Sequence, residues 1–199
     1  MATPERVNEP FLDAVAVLRR WGFTQDTEPF LGRWKGRQPW GIPGPLYVAE
    51  DDACGTGPEA APNNVYLHDA QGEFIFRQAS TEYELRQLVD AAELNVVSQY
   101  AFDGNEYWTP SLVASWWGAI QPGYQQLRET VAEYDKALRR LGGRSRSELD
   151  AEWQQQQRHV PTVATRRWLD YLEHGAEEYL LRYIAFLETG RVPALDDRD

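Results

Sequence analysis

Residues 65–94, VYLHDAQGEFIFRQASTEYELRQLVDAAEL, decide the fold. Residues 65–67 and 74–78 are rich in β-branched and aromatic side chains, which predicts two short strands. The Asp and the Gly in the segment between them suit a tight turn, so we expect a β-hairpin. Residues 46–49 are a third candidate strand, which we expect to pack with the hairpin in a small antiparallel sheet.

A helix is predicted soon after the hairpin. Thr81 and Glu84 have the spacing of a capping box, in which each side chain accepts from the backbone N–H of the other residue. Apolar residues then recur at helical spacing as far as Leu94. We therefore expect a helix over Glu82–Leu94.

Helices are also predicted on both sides of this stretch. Asn8 as a cap and Pro10 in the first turn predict a first helix that Gly22 ends. Caps, prolines and terminal glycines predict further helices over 110–117, 122–141, 146–158 and 162–189. The fold class is therefore α+β, with a small antiparallel sheet and flanking helices followed by a helical hairpin or bundle.

We expect one globular unit with two parts. Residues 1–120 are predicted to form an α+β core that contains a long irregular segment at 23–62. Residues 121–195 are predicted to form a helical extension packed on this core, and residues 196–199 a loose acidic tail. Long irregular segments in compact domains are often functional, which directs attention to residues 23–62.

Composition excludes several classes of protein. The 199 residues include 20 basic and 31 acidic ones, a net charge of −11, so no nucleic-acid partner is expected, because phosphate contacts need a basic face. Cys54 is the single cysteine, which excludes a disulfide framework. The N-terminal residues contain no secretory h-region, and no apolar run is long enough to cross a membrane. We therefore expect a soluble cytoplasmic protein without membrane contact.

The charges are unevenly distributed along the chain. Residues 49–93 contain ten acidic and two basic residues, whereas residues 138–167 contain seven arginines and three acidic residues. The favoured interpretation is a solvated surface whose two segments complement each other within the fold. The alternative is an acidic face that binds a basic protein partner.

The most distinctive motif surrounds Cys54, the candidate nucleophile. Its neighbours Gly55-Thr-Gly57 could bind an anion through their backbone amides, and such a site would activate a thiolate. The three carboxylates at residues 50–52 would oppose this activation, so a structural cysteine in a Gly-rich turn is the favoured interpretation. Asp51, Asp52, Cys54 and Asn64 are the candidate binding residues of this segment.

Aromatic residues supply two more candidates, Trp40 and Trp116. Packing under the long loop is the favoured role for the tryptophans, and a binding pocket or an interface anchor is the alternative.

One face of the predicted last helix carries four polar residues: Asp170, His174, Glu177 and Glu178. An exposed polar stripe is favoured there, since a carboxylate-bridged metal pair needs ligands from further helices. We predict no metal site and no cofactor.

Several motifs resemble those of a group of actinobacterial proteins of unknown function. They are GPLYVAEDDACGTGP at 44–58, APNNV at 61–65 and FRQ at 76–78, with weaker support from WTP at 108–110 and YLEHGAEEY at 171–179. The resemblance extends over most of the chain. Some proteins of this group carry the label ferredoxin, but one cysteine cannot hold a cluster that needs about four protein ligands. The resemblance therefore implies no activity.

Three functions remain. The leading hypothesis is a cytoplasmic protein-binding module of the immunity or antitoxin kind, which binds a basic partner. The alternative is a small enzyme or ligand-binding domain that uses the Gly/Pro-rich segment 40–64 around Cys54. The third is an assembly component with an uncovered apolar stripe on residues 162–189. No pattern in the sequence fixes the oligomeric state.

Overall fold

The computed structural model describes residues 12–50, 55–68 and 72–191. The helices are α1 (Leu12–Arg20), α2 (Gly57–Ala60), α3 (Glu82–Leu94), α4 (Pro110–Arg139), α5 (Arg146–Gln155), α6 (Val163–His174) and α7 (Ala176–Thr189). The strands are β1 (Tyr47–Val48), β2 (Val65–His68), β3 (Gly72–Ile75) and β4 (Tyr100–Ala101). Short 3-10 turns lie at Trp34–Gly36 and Gly104–Glu106. The fold is α+β, as predicted.

The predicted hairpin is confirmed, although its second strand lies at Gly72–Ile75 and not at 74–78, and the predicted three-stranded sheet is wrong. β2 and β3 pair antiparallel, whereas β1 pairs with β4 in a separate two-stranded sheet. The segment before β1 is joined to the hairpin mainly by a side chain. Gln78 Nε2 donates to the Leu46 carbonyl at 2.8 Å, and the Leu46 N–H donates to Gln78 Oε1 at 3.3 Å. Pro43 and Pro45 lack the N–H groups that a regular ladder would need there. The side-chain amide of Gln78 instead supplies hydrogen bonds of the kind that a neighbouring strand would make.

Helix α3 has the predicted bounds, with one difference at its start. Thr81 Oγ1 accepts from the Glu84 N–H at 3.1 Å, as expected. The Glu84 carboxylate does not complete the capping box on Thr81. It accepts from the N–H and the hydroxyl of Ser80, both at 2.7 Å, and pairs with Arg77. Glu84 therefore ties the end of the hairpin to the start of α3.

Helix α4 is continuous, where the sequence predicted two helices separated before Pro122. Val113, Trp116, Ile120 and Tyr124 are all buried and lie three or four residues apart. This stripe continues across the proline, so packing against the core holds the helix together despite one missing backbone hydrogen bond. The predicted boundary after residue 120 falls inside this helix.

The predicted helix over 162–189 is divided at Gly175 into α6 and α7. A β-carbon on Gly175 would lie 2.9 Å from the Tyr171 ring, so the break is also a place of close packing. The break separates Asp170 and His174 on α6 from Glu177 and Glu178 on α7, so these four residues do not share one helix as predicted.

One hydrophobic cluster includes residues from both predicted parts of the chain. Leu18 of α1, Phe74 of β3, Val113 of α4, Trp168 of α6 and Tyr183 of α7 all belong to it. Most of the larger apolar side chains of α6 and α7 lie in this cluster or pack against it, whereas Val163 and Leu181 are exposed. None of the helices in the described ranges is long and apolar enough to cross a membrane.

Part of the irregular segment 23–62 belongs to the core. Residues 42–49 are buried without interruption, including Ile42, Leu46 and Val48. The binding sites predicted for residues 23–62 are thus restricted to the positions where this segment reaches the surface.

A smaller cluster of Tyr134, Leu149 and Trp153 packs α5 against the end of α4.

Candidate functional site

The turn predicted to bind an anion is filled by a carboxylate of the chain itself. The Gly57 N–H donates to Glu73 Oε1 at 2.9 Å, and Tyr100 OH donates to Glu73 Oε2 at 3.3 Å. Glu73 is fully buried. A β-carbon on Gly57 would lie 2.6 Å from Tyr100 Oη, so glycine is required for this approach. Glu73 therefore occupies the place that the motif suggested for an external anion.

The other candidates of this segment divide into two sets. Asp51, Asp52 and Cys54 lie outside the described residues. Asn64 is fully buried, and its Nδ2 donates to the Arg77 carbonyl at 3.0 Å. The backbone carbonyl of Asn64 accepts from the Phe76 N–H at 2.8 Å. These contacts place Asn64 where it joins the two outer ends of the hairpin.

The two candidate tryptophans belong to one arrangement. Trp116 is buried in α4, and its Nε1 donates to the Pro39 carbonyl at 2.8 Å. This bond fixes the backbone immediately before Trp40. The indole of Trp40 lies over Gly123, where a β-carbon would overlap Cη2 and lie 2.8 Å from Cζ3. Trp116 thus positions Trp40, and Gly123 provides the space that Trp40 occupies.

Trp40 forms one wall of a pocket of about 390 Å³ between β2, α4 and the segment after α5. Trp168 stands next to it, with the two indole planes at 89° and their centroids 5.7 Å apart. Tyr66 packs on Trp168 at 5.1 Å. The pocket therefore has a corner built from flat aromatic side chains.

The lining of the pocket also includes two of the three histidines of the chain. The rings of His68 and His159 are nearly parallel, at 8°, with centroids 6.5 Å apart. His159 Nε2 lies 3.0 Å from Thr165 Oγ1 and 3.3 Å from Tyr66 Oη. Tyr66 Oη and Thr165 Oγ1 are themselves 3.2 Å apart. This three-membered network holds the His159 ring in one orientation.

The segment after α5 contributes Gln157, Arg158 and His159 to the lining of the pocket. Gln157 adopts a left-handed backbone, with a φ of 55°, and the Arg158 N–H donates back to the Trp153 carbonyl at 2.9 Å. This helix ending turns Arg158 and His159 toward the pocket. The Arg158 guanidinium lies 3.7 Å from the centroid of the Trp153 ring and pairs with Glu133, which is not among the residues that line the pocket.

A second aromatic cluster already holds a cation. The guanidinium of Arg37 lies 4.3 Å from the centroid of the Trp34 ring and 5.0 Å from that of Trp108. The Tyr107 ring stacks on the Trp34 ring, with centroids 5.0 Å apart. Burial lowers the pKa of Arg37. The cluster resembles an aromatic cage for a cation, and Arg37 fills it.

The outer face of α3 and the turn after it expose several apolar side chains beside acidic ones. Tyr83, Leu94, Val96 and Val97 are 69%, 53%, 74% and 37% exposed. We call this surface, with the exposed acids Glu82, Asp90 and Glu93 between them, the α3 face. Thr56 Oγ1 donates to the Leu94 carbonyl at 3.5 Å, so the turn after Cys54 packs against the end of this face.

Within residues 12–50, 55–68 and 72–191, no three His, Cys, Asp or Glu side chains come together in a group that could hold a metal ion. His174 Nε2 lies 3.9 Å from Asp170 Oδ1, and both side chains are exposed. Glu177 and Glu178 are exposed as well, on α7 beyond the break at Gly175.

Sequence reasoning missed the histidine pair and the role of Gly123. His68 and His159 are far apart in the sequence and meet only through the packing of α6 on β2, which no local pattern reveals. Gly123 follows Pro122 and was part of an apparent helix break. The visible signal was the position of Pro122-Gly123 inside an otherwise continuous apolar stripe.

Comparison with protein-family models, curated proteins and solved structures gave no match to any of them. The resemblance to actinobacterial proteins therefore stays a prediction, and function has to be argued from the chain itself.

Proposed function

We propose that the protein is a cytoplasmic protein-binding module that docks a basic protein partner on its α3 face, in the manner of an immunity protein or antitoxin. The observation that carries the proposal is the set of aliphatic side chains left in water where α3 ends. Val96 and Leu94 are each more than half exposed, although the core of the same domain is large and well packed.

The charges around these side chains favour a basic partner. Asp90 and Glu93 lie on the exposed side of α3, as Leu94 does. Arg86, the basic residue of this helix, lies 4.1 Å from the centroid of the Trp21 ring, so its guanidinium is held against α1. An apolar centre with an acidic rim is the arrangement that complementary interfaces use, and a net charge of −11 steers basic proteins toward it.

Capture of partners from the native host tests the proposal with two matched variants. Val96→Asp places a charge in the apolar centre of the α3 face. Val163→Asp makes the same change on α6, at a valine that is 67% exposed. The proposal expects wild type and Val163→Asp to retain the same basic protein, and Val96→Asp to lose it, with binding that weakens as salt increases.

Two outcomes of this capture would overturn the proposal. One is a retained protein that binds all three chains equally, which would place the interface elsewhere. The other is a wild-type protein that retains no basic protein at low salt. Circular dichroism of both variants establishes that they are folded, so that a loss of binding reports on the surface.

The second candidate function is a small enzyme or ligand-binding domain that uses residues 40–64. The contact of Gly57 with Glu73 argues against an anion-activated Cys54, because an internal carboxylate already accepts from this amide. One observation favours the ligand-binding form of this hypothesis: Trp40 lines a pocket of about 390 Å³.

A further inference from the structure

We propose that the pocket between Trp40, Trp168 and the pair His68 and His159 binds a flat aromatic molecule that carries a carboxylate or a phosphate. This inference is independent of the α3 face, which lies on other elements. It concerns small-molecule binding and assigns no reaction.

The size and the walls of the pocket favour a small flat ligand. Its volume of about 390 Å³ lies within the range of small-molecule sites. The indoles of Trp40 and Trp168 meet at 89°, so a ring that stacks on one of them meets the other edge-on. Both stacked and edge-to-face contacts between aromatic rings are favourable.

The charge of the pocket selects an anion. Among the described residues, its lining includes Arg158, His68 and His159 and no Asp or Glu, in a protein whose net charge is −11. Glu133 pairs with Arg158 from outside the lining and offsets part of its charge. The imidazoles and the guanidinium carry N–H groups that can donate to an anionic group, and a hydrogen bond to an ionised acceptor is stronger than one between neutral groups.

The pocket is also rigid in the places that matter for binding. Tyr66 and Thr165 hold His159 through contacts of 3.3 and 3.0 Å. Trp40 is held by Gly123 below it and by the bond from Trp116 to the residue before it. Side chains that are already ordered lose little entropy when a ligand binds, which favours affinity at this site.

Isothermal titration with four probes tests the inference on the full chain. Naphthoate and adenosine monophosphate carry the two anionic groups, and naphthamide and adenosine are their neutral counterparts. We expect at least one anion to bind about tenfold or more tightly than its counterpart, because a hydrogen bond to a charged group is lost in the neutral probe. The anion that binds identifies the carboxylate or the phosphate as the preferred group.

Three variants locate the binding. Trp40→Leu and His68→Asn are each expected to weaken it about tenfold or more, since they remove a stacking wall and a polar contact. Trp117→Leu, next to Trp116 but outside the pocket lining, is expected to bind like the wild type. Circular dichroism establishes that all three variants are folded.

Three results would overturn the inference. The first is anions that bind no better than their neutral counterparts. The second is Trp40→Leu and His68→Asn binding with wild-type affinity. The third is no heat of binding and no shift of indole N–H resonances with any of the four probes at concentrations of about 10 mM. That result would mean an affinity weaker than a preformed site should have.

Discussion

The indole of Trp40 lies over Gly123 so closely that any side chain at residue 123 would overlap it. Pro122 and Gly123 stand next to each other in the middle of α4, where both residue types weaken a helix. The glycine is required by Trp40, and the buried residues on either side of the proline keep the helix continuous. A pair that looks like a helix break is therefore part of the wall of a pocket.

Replacement of Gly123 by alanine is expected to displace Trp40 and to destabilise the protein by about 1–3 kcal/mol, the usual cost of overpacking. Near-ultraviolet circular dichroism reports the displaced indole, and urea unfolding measures the stability. Gly118→Ala is the matched control, because Gly118 lies in the same helix, with open space where its β-carbon would be. That variant is expected to gain about 0.5–1 kcal/mol. Equal effects of the two substitutions would contradict the packing of Trp40 on α4.

The buried carboxylate of Glu73 is expected to be essential as a hydrogen-bond acceptor. Glu73→Leu leaves the N–H of Gly57 without its partner, which costs about 1–3 kcal/mol. Glu73→Gln keeps an oxygen for this N–H and is expected to lose less stability. Thermal unfolding of the two variants compares them directly. A leucine that is tolerated as well as the glutamine would mean that the turn at residues 55–57 does not depend on Glu73.

Local patterns predicted the elements that depend on local chemistry. The pairing of β2 with β3, the cap at Thr81 and the cap at Ser145 are decided by neighbouring residues, and the structure has each of them. The pairing of β1 with β4 was not predictable in this way, because the two strands are far apart in sequence and only two residues long.

The candidate site shows the same division. Trp40 and Trp116 were singled out from the sequence, and the structure joins them through the Pro39 carbonyl. The pairing of His68 with His159 depends on how α6 packs against β2. The filling of the Gly55–Gly57 turn by Glu73 depends on a contact between buried residues. Neither relationship leaves a periodic or spacing signal in the chain.

The ion pair between Asp135 on α4 and Arg166 on α6 is expected to make stability depend on pH. Two hydrogen bonds, of 2.9 and 2.6 Å, join the groups, and the guanidinium lowers the pKa of Asp135. A lowered pKa contributes stability above the unfolded value of about 3.9 and loses it as the pH falls through the lower folded value.

Urea unfolding of wild type and Asp135→Asn at several pH values measures this contribution. Both side chains are partly exposed, so we expect a difference of only about 0.5–1 kcal/mol at neutral pH. The difference should shrink toward zero below about pH 4 as the wild-type carboxylate is protonated. A difference that is constant with pH would show that the charge of Asp135 contributes nothing.

The buried tyrosines of α7 are expected to limit stability at alkaline pH. Burial raises the pKa of Tyr179 and of Tyr183, whose hydroxyls donate to the Pro43 carbonyl and to Asn105 Oδ1, each at 2.8 Å. A raised pKa contributes stability that is fully present below the unfolded value of about 10 and is lost as the pH rises through the folded value.

Tyrosinate absorbance and helix content, followed together as the pH rises, test this expectation. We expect part of the tyrosine absorbance to change only when the helices unfold. In Tyr183→Phe that late fraction should be smaller. Full ionisation of all tyrosines while the helix signal stays native would contradict the burial of these two side chains.

Hydrogen exchange of the protein, alone and in the complex that co-purifies from its host, tests the proposed function most directly. The account predicts a basic protein as the partner and slower exchange confined to residues 82–97 of the α3 face. Residues 163–189 of α6 and α7 should exchange at the same rate in both states. Protection of α6 and α7 with an unchanged α3 face, or a chain that purifies without a basic partner at low salt, would contradict it.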